Sequence, residues 1–284
     1  MTRDMTQGNI TGHLVSYAVP LLFGNLFQQL YHTVDSVVVG QFDGKEALAA
    51  VGAAGPIMNI LTFLIVGLSM GASILMSNYF GARRWHMLKS ELATSVIAGF
   101  LFTAVLSILS FAGSSFFIRV TQTPEEIAPM ATTYLQIISA GLIFTFFYNV
   151  YSSALRAIGD SRAPLYVLII TTFINVFLDI FLVGVLDMGV TGAAVATVIS
   201  QLISSVCLIL YIRLRVPILW LTPHEMKLRL VLLKKTVDFS SVSALQQTVL
   251  YLGRLLVQSG VNALGVDAVA AFNAVSIIDS YVLA

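Results

Sequence analysis

Two aspartates stand inside apolar stretches, Asp35 in VDSVVVG and Asp179 in INVFLDIFLV. A carboxylate at bilayer depth is costly, so it normally faces the interior of a helix bundle and marks an ion or proton path. Asn25, Gln28, His32 and Asp35 follow 3-4-3 spacing, which places them on one face of a helix. Thr172, Asn175 and Asp179 repeat the pattern, and Thr197, Ser200 or Gln201, and Ser204 repeat it again. Measured inward from the outer ends of their runs at about 1.5 Å per residue, Asp35 and Tyr134 lie roughly 8 Å deep and Asp179 and Thr197 roughly 12 Å. Carboxylate, amide, hydroxyl and phenol oxygens at one level suit a sodium ion, by analogy with other hard cations. They equally suit a proton, because two desolvated carboxylates side by side cannot both stay charged. The alternative is a hydrogen-bonded cluster that only fastens helices together, a role that would not require two acids.

The elements that position these groups follow from composition. Of 284 residues, 57% are hydrophobic and 10% charged, and mean hydropathy is +0.90, against about 25% charged in soluble domains. The fold class is an all-α integral membrane protein. A net charge of +1 leaves no basic excess for nucleic acid. The single cysteine, Cys207, excludes an internal disulfide and any multi-Cys metal site, and His13, His32, His86 and His224 show no ligand spacing. Eight apolar runs of bilayer length are expected, over about 14–39, 48–77, 92–114, 130–152, 163–186, 190–212, 239–261 and 268 to the end. The first is too long for a signal-peptide core and lacks a small-residue cleavage site, so it reads as a span rather than a leader.

With the N-terminus in the cytoplasm, Arg3, Arg83, Arg84, Lys89, Arg156, Arg162, Arg213, Arg215, Lys227, Arg229, Lys234 and Lys235 lie inside, and Lys45 and Arg119 outside. This bias predicts a multi-pass inner-membrane protein with a cytoplasmic N-terminus. FDGKEALAAVG (42–52) is echoed by ALGVDAVAAFN (263–273), with Gly44, Ala47, Ala49 and Ala50 returning as Gly265, Ala268, Ala270 and Ala271. Six spans separate the copies, so the duplication is parallel. The expected organisation is a six-helix lobe over 1–214, a basic cytoplasmic linker over 215–238, and the first two helices of a second lobe over 239–284. The remainder of that lobe is expected to be missing here.

Smaller signals have plain readings. Pro20 and Pro56 fall inside spans and can kink them. Gly67 and Gly71 form a small-xxx-small pair for close helix packing. GLSMG around Ser69 matches a serine-hydrolase pattern, but no histidine falls within reach of Ser69, and no metalloprotease, P-loop or dinucleotide motif is present; an enzyme is not expected. Arg254 and Asp279 are expected to pair within the membrane. Phe27, Tyr31, Phe144, Phe147 and Tyr148 are candidates for stacking on a flat cation.

LRAIGDSRAPL (155–165), INVFLDIFLV (174–183) and GVTGAAVATVISQ (189–201), with the opening HLVSYAVPLLFGNLFQQLYHTVDSVVVGQFDGKEALAAVG, resemble, in order, motifs of the multidrug and toxic compound extrusion (MATE) transporters. The resemblance implies two six-helix lobes around a V-shaped cavity, and alternating-access export of organic cations or amphipathic compounds in exchange for sodium or protons. In the prokaryotic branch similar to the DNA-damage-inducible type, the cation site corresponds to Asp35, Asn175, Asp179 and Thr197, the sodium ligands if sodium is the coupling ion, with Tyr134 in the same network. Asn25, Gln28, Tyr31, His32 and Asn149 are candidates for the substrate cavity. The other bacterial branch carries a coupling Glu on its seventh helix where Gln246 and Gln247 stand here. No organic cofactor is implied; the partners are small amphipathic or cationic substrates, the bilayer and the second lobe of the full-length chain. The rival is a lipid-linked precursor flippase of the same superfamily, which would be expected to place several Lys or Arg residues in its cavity.

Overall fold

The computed structural model describes residues 10–121, 123–241, 249 and 253, and every regular element among them is helical. In chain order these are α1 (Ile10–Phe42), α2 (Gly44–Gly81), α3 (Trp85–Val120), α4 (Ala128–Ala157), α5 (Arg162–Asp179) and α6 (Gly189–Arg215). A π-helical turn, Ile180–Val185, prolongs α5, and a 3-10 turn, Pro217–Leu219, follows α6. A further helix runs over residues 230–241. The first six expected runs coincide with α1 to α6, and α2 to α6 are long and apolar enough to cross a membrane. The helices outrun the apolar stretches: the 38 residues of α2 span about 57 Å at 1.5 Å each, against a hydrocarbon layer of about 30 Å. The runs expected over 239–261 and from 268 onward lie almost wholly outside the described residues, as do the second repeat copy, Gln246, Gln247 and the Arg254–Asp279 pair.

Packing centres on α4, which lies against α2, α3 and α6; α5 packs on α6, and α1 bridges α5 and α2. Phe146 and Leu135 of α4, Ile65 and Met76 of α2, Leu92 of α3 and Leu208 of α6 are fully buried. The polarity of α5 is inverted relative to a soluble helix. Its outward face carries Phe173, 67% exposed, and Phe177, 68% exposed, while Thr172, Asn175 and Asp179 are turned inward and buried. Such a helix is stable only where its outer surroundings are apolar. Helices α1 and α2 run continuously through Pro20 and Pro56.

Turns between the helices are short. Gly159 closes α4 at φ +85°, a left-handed conformation that costs other residues about 1–2 kcal/mol, and Asp160 N then donates to Leu155 O at 2.9 Å. The connection expected as a linker packs on α2 and α3. Leu219, Leu232 and Thr236 are buried, and Arg229 N donates to Thr94 Oγ1 at 3.3 Å. Of the expected glycine pair, Gly71 makes the close approach: a β-carbon there would stand 2.7 Å from Ser240 N and 2.8 Å from Thr236 O, whereas one at Gly67 would meet nothing.

Candidate cation site

Helix α1 delivers Tyr31 and Asp35, one turn apart; α5 delivers Asn175 and Asp179, also one turn apart; α4 delivers Tyr134 and α6 delivers Thr197. Asp35 is 5% exposed, and Asp179 and Asn175 are fully buried. The carboxyls of Asp35 and Asp179 face each other closely enough to interact directly. Tyr134 stands near both acids and near Tyr31, and the Tyr31 phenol lies against the Thr197 hydroxyl. Of the residues that spacing and depth grouped, Asp35, Tyr134, Asp179 and Thr197 come together, with Asn175 buried one turn from Asp179.

Hydrogen-bond accounting in this cluster leaves a deficit. Asp35 Oδ1, both carboxyl oxygens of Asp179, and both Oδ1 and Nδ2 of Asn175 are buried with no partner. Buried polar groups are nearly always satisfied, and two unbalanced negative charges in a dry site are more costly still. A small positive species between the carboxyls, either a proton shared by the pair or a sodium ion bound by carboxylate and amide oxygens, would meet the deficit. Carboxylate, amide and hydroxyl oxygens are hard donors, which fit a hard cation better than a soft transition metal. One turn further along α6, Ser200 Oγ and Gln201 Oε1 are also buried without a partner and continue the polar track away from Thr197.

The residues expected around a substrate cavity stand in different surroundings. Asn25 and Gln28 are exposed on α1 and Tyr31 is buried in the cluster, while the side chain of His32 lies outside the described residues. Asn149 Nδ2 donates to Thr145 O of its own helix at 2.8 Å. Phe147 stacks on Phe100 and on Tyr151, with ring centroids 6.1 and 6.2 Å apart, so it packs within the α3–α4 layer. Ser69 is buried and donates to Ile65 O at 3.0 Å; this back-bond to its own helix leaves the GLSMG serine without the geometry of a nucleophile. Sequence reasoning did not find the place of Tyr31 beside Thr197, or the π-helical turn that begins at the residue after Asp179. Wide turns of this kind are frequent at functional sites.

Known proteins resemble this chain in sequence and in fold. The probable multidrug resistance protein YoeA of Bacillus subtilis (strain 168) is 29% identical over 289 residues, covering 99% of this chain and 62% of that protein. The DNA damage-inducible protein F of Escherichia coli (strain K12) is 26% identical over 184 residues, covering 65% of this chain and 40% of that protein. A crystal structure of MATE in the bent conformation superposes with a TM-score of 0.86 at 25% identity, covering 94% of this chain and 60% of that one. The chain thus spans about 62% of the length of the first curated relatives it matches. Residues 20–181 match the MatE family, and with the helical order and the buried α1–α5 cluster in place, this chain belongs to that family.

Proposed function

We propose that the full-length protein is a secondary active multidrug exporter of the inner membrane, with its N-terminus in the cytoplasm, which expels organic cations or amphipathic compounds by antiport against sodium or protons. The observation that carries this reading is the pair Asp35 and Asp179, buried face to face with unpartnered oxygens. When the coupling cation binds, it neutralises the pair and lets α1 and α5 close on each other. When it leaves, charge repulsion favours a different arrangement of the same helices. Asn175 and Thr197 complete the oxygen set, and Tyr134 and Tyr31 shut out water. Cation and exported compound then compete through this equilibrium, and each must weaken the other's binding by the same factor. The second lobe supplies the other wall of the cavity. The names of the curated relatives, which speak of multidrug resistance and multidrug export, support the substrate class.

The test is efflux of an ethidium-like dye from vesicles holding the full-length protein, with a sodium gradient and a pH gradient imposed separately. Efflux driven by one gradient identifies the coupling ion. Efflux driven by neither would overturn antiport and favour the flippase.

A further inference from the structure

A second buried acid lies far from the Asp35–Asp179 pair. Asp35 stands 7 residues before the end of α1, α2 returns over its 38 residues, and Glu91 stands 6 residues into α3; the two acids therefore occupy opposite ends of the bundle. Glu91 is fully buried. Its cover is the helix over residues 230–241, which rests on α2 at Gly71 and on α3 at Glu91 itself.

The hydrogen bonds here close differently with and without a proton on the glutamate. Ser95 Oγ donates to Glu91 Oε1 at 3.1 Å, and Thr236 Oγ1 donates to the same oxygen at 2.6 Å. Thr236 Oγ1 also stands as donor to Leu232 O at 2.9 Å. A threonine hydroxyl has a single hydrogen and cannot serve both acceptors. If it goes to Leu232 O, two oxygens meet at 2.6 Å with nothing between them; if it goes to Glu91, Leu232 O loses its side-chain donor. With Glu91 ionised, Thr236 and Ser95 both donate to it and Leu232 O keeps only its helical amide donor; with Glu91 protonated, Glu91 donates to Thr236, Thr236 donates to Leu232 O, and Ser95 donates to Glu91, so all three contacts carry a hydrogen. The other carboxyl oxygen, Oε2, is buried with no partner, so an ionised Glu91 would place part of its charge where nothing solvates it. The titratable groups facing Glu91 are Tyr79 from α2 and Lys235 from the covering helix; the Lys235 charge favours an ionised Glu91, whereas burial opposes it more strongly.

We propose that Glu91 is a proton-binding site at the end of the bundle opposite Asp35 and Asp179, and that its proton fastens the helix over residues 230–241 to α2 and α3. Loss of the proton turns the Thr236 hydroxyl toward the carboxylate, strips Leu232 O of its second donor and leaves a buried charge under the covering helix. Docking is therefore tight at low pH on that face and loosens as pH rises. The inference does not rest on the coupling role of Asp35 and Asp179.

The test uses the full-length protein in lipid nanodiscs, with two readouts. Infrared spectra at low pH should contain a protonated-carboxyl band that E91Q deletes and that the D35N/D179N double variant retains. Amide-exchange protection of residues 232–240, referred to intrinsic rates at each pH, should fall about tenfold from low to high pH in the parent and stay high throughout in E91Q. A band unaffected by E91Q, or docking indifferent to pH in the parent, would overturn the proposal. If E91Q does not fold, T236V removes the shared hydroxyl and keeps the acid; it should shift the band, and an unshifted band would be equally fatal.

Discussion

Tyr211 on α6 donates a 2.8 Å hydrogen bond to Asp160 Oδ2 in the α4–α5 turn, while Asp160 Oδ1 accepts from Ala163 N at 3.1 Å at the start of α5. Both oxygens of this buried acid are satisfied, which sets it apart from Asp35 and Asp179. A satisfied acid at a helix start is a fastening, and its removal should be felt as lost stability. Asp160→Ala should lower unfolding stability by about 2 kcal/mol, one part from the lost cap and one from the stranded Tyr211 hydroxyl. Tyr211→Phe should cost about 1 kcal/mol. Thermal unfolding of the full-length protein in detergent measures both, and transport per folded molecule should persist.

The opposite signature is expected of the unsatisfied pair. Asp35→Asn or Asp179→Asn should abolish gradient-driven dye efflux while leaving thermal stability equal to or above that of the parent, because each removes one of two facing negative charges. Vesicle efflux and thermal unfolding, run on the same preparations, check this. Full coupled transport by either variant would remove the pair from the mechanism, and a large loss of stability would make it structural.

Lys89 Nζ on α3 donates to Oε1 of Glu225, on the exposed connection after α6, at 2.8 Å, and Thr222 N and Oγ1 donate to Oε2 at 2.8 and 2.9 Å. The Lys89 bond, followed by the Thr222 backbone bond, holds the Glu225 carboxyl down at about 2 from its ordinary 4.5. A depressed carboxylate stabilises the fold above its unfolded value and loses that contribution as pH falls through the folded one. The Thr222–Glu225 turn should therefore keep its order down to about pH 4.5 and loosen between there and about pH 2. In Glu225→Gln the local amide protection should be lower at neutral pH and flat across that window. Both residues are substantially exposed, so the effect on global stability should be small.

The course of the chain through α1 to α6 was legible in the sequence because apolar runs of bilayer length are hard to mistake. The Asp35–Asp179 grouping was legible because 3.6-residue periodicity puts Thr172, Asn175 and Asp179 on one face and shared depth brings Asp35 to their level; the α1 stripe did not help, since Asn25 and Gln28 are exposed while Asp35 is buried. Glu91 was invisible for a physical reason. It precedes the apolar run beginning at residue 92 and reads as a solvated helix start; its burial comes from Thr236, 145 residues away in sequence, through a packing event that no local pattern encodes. The π-helical turn after Asp179 was hidden likewise, since INVFLDIFLVGV has an ordinary helical composition and the wider turn is set by packing against α1 and α6. Gly71 and Gly67 look identical in sequence, and only the position of the covering helix separates them.

That separation gives a direct test of how the covering helix sits. Gly71→Ala would drive a methyl group against backbone atoms, Ser240 N and Thr236 O, which cannot rotate away as a side-chain end can. Relief requires the helix over residues 230–241 to shift, at a cost of about 1–3 kcal/mol. The displaced helix should expose Lys234 and Lys235 to trypsin more readily than in the parent. Gly67→Ala, four residues earlier on α2, meets open space and should leave cleavage unchanged, or slow it slightly through better helix propensity. Equal cleavage of the two variants would mean that residues 230–241 do not lie on α2 at Gly71. Faster cleavage of Gly71→Ala alone would tie the exposure of that helix to a single missing β-carbon.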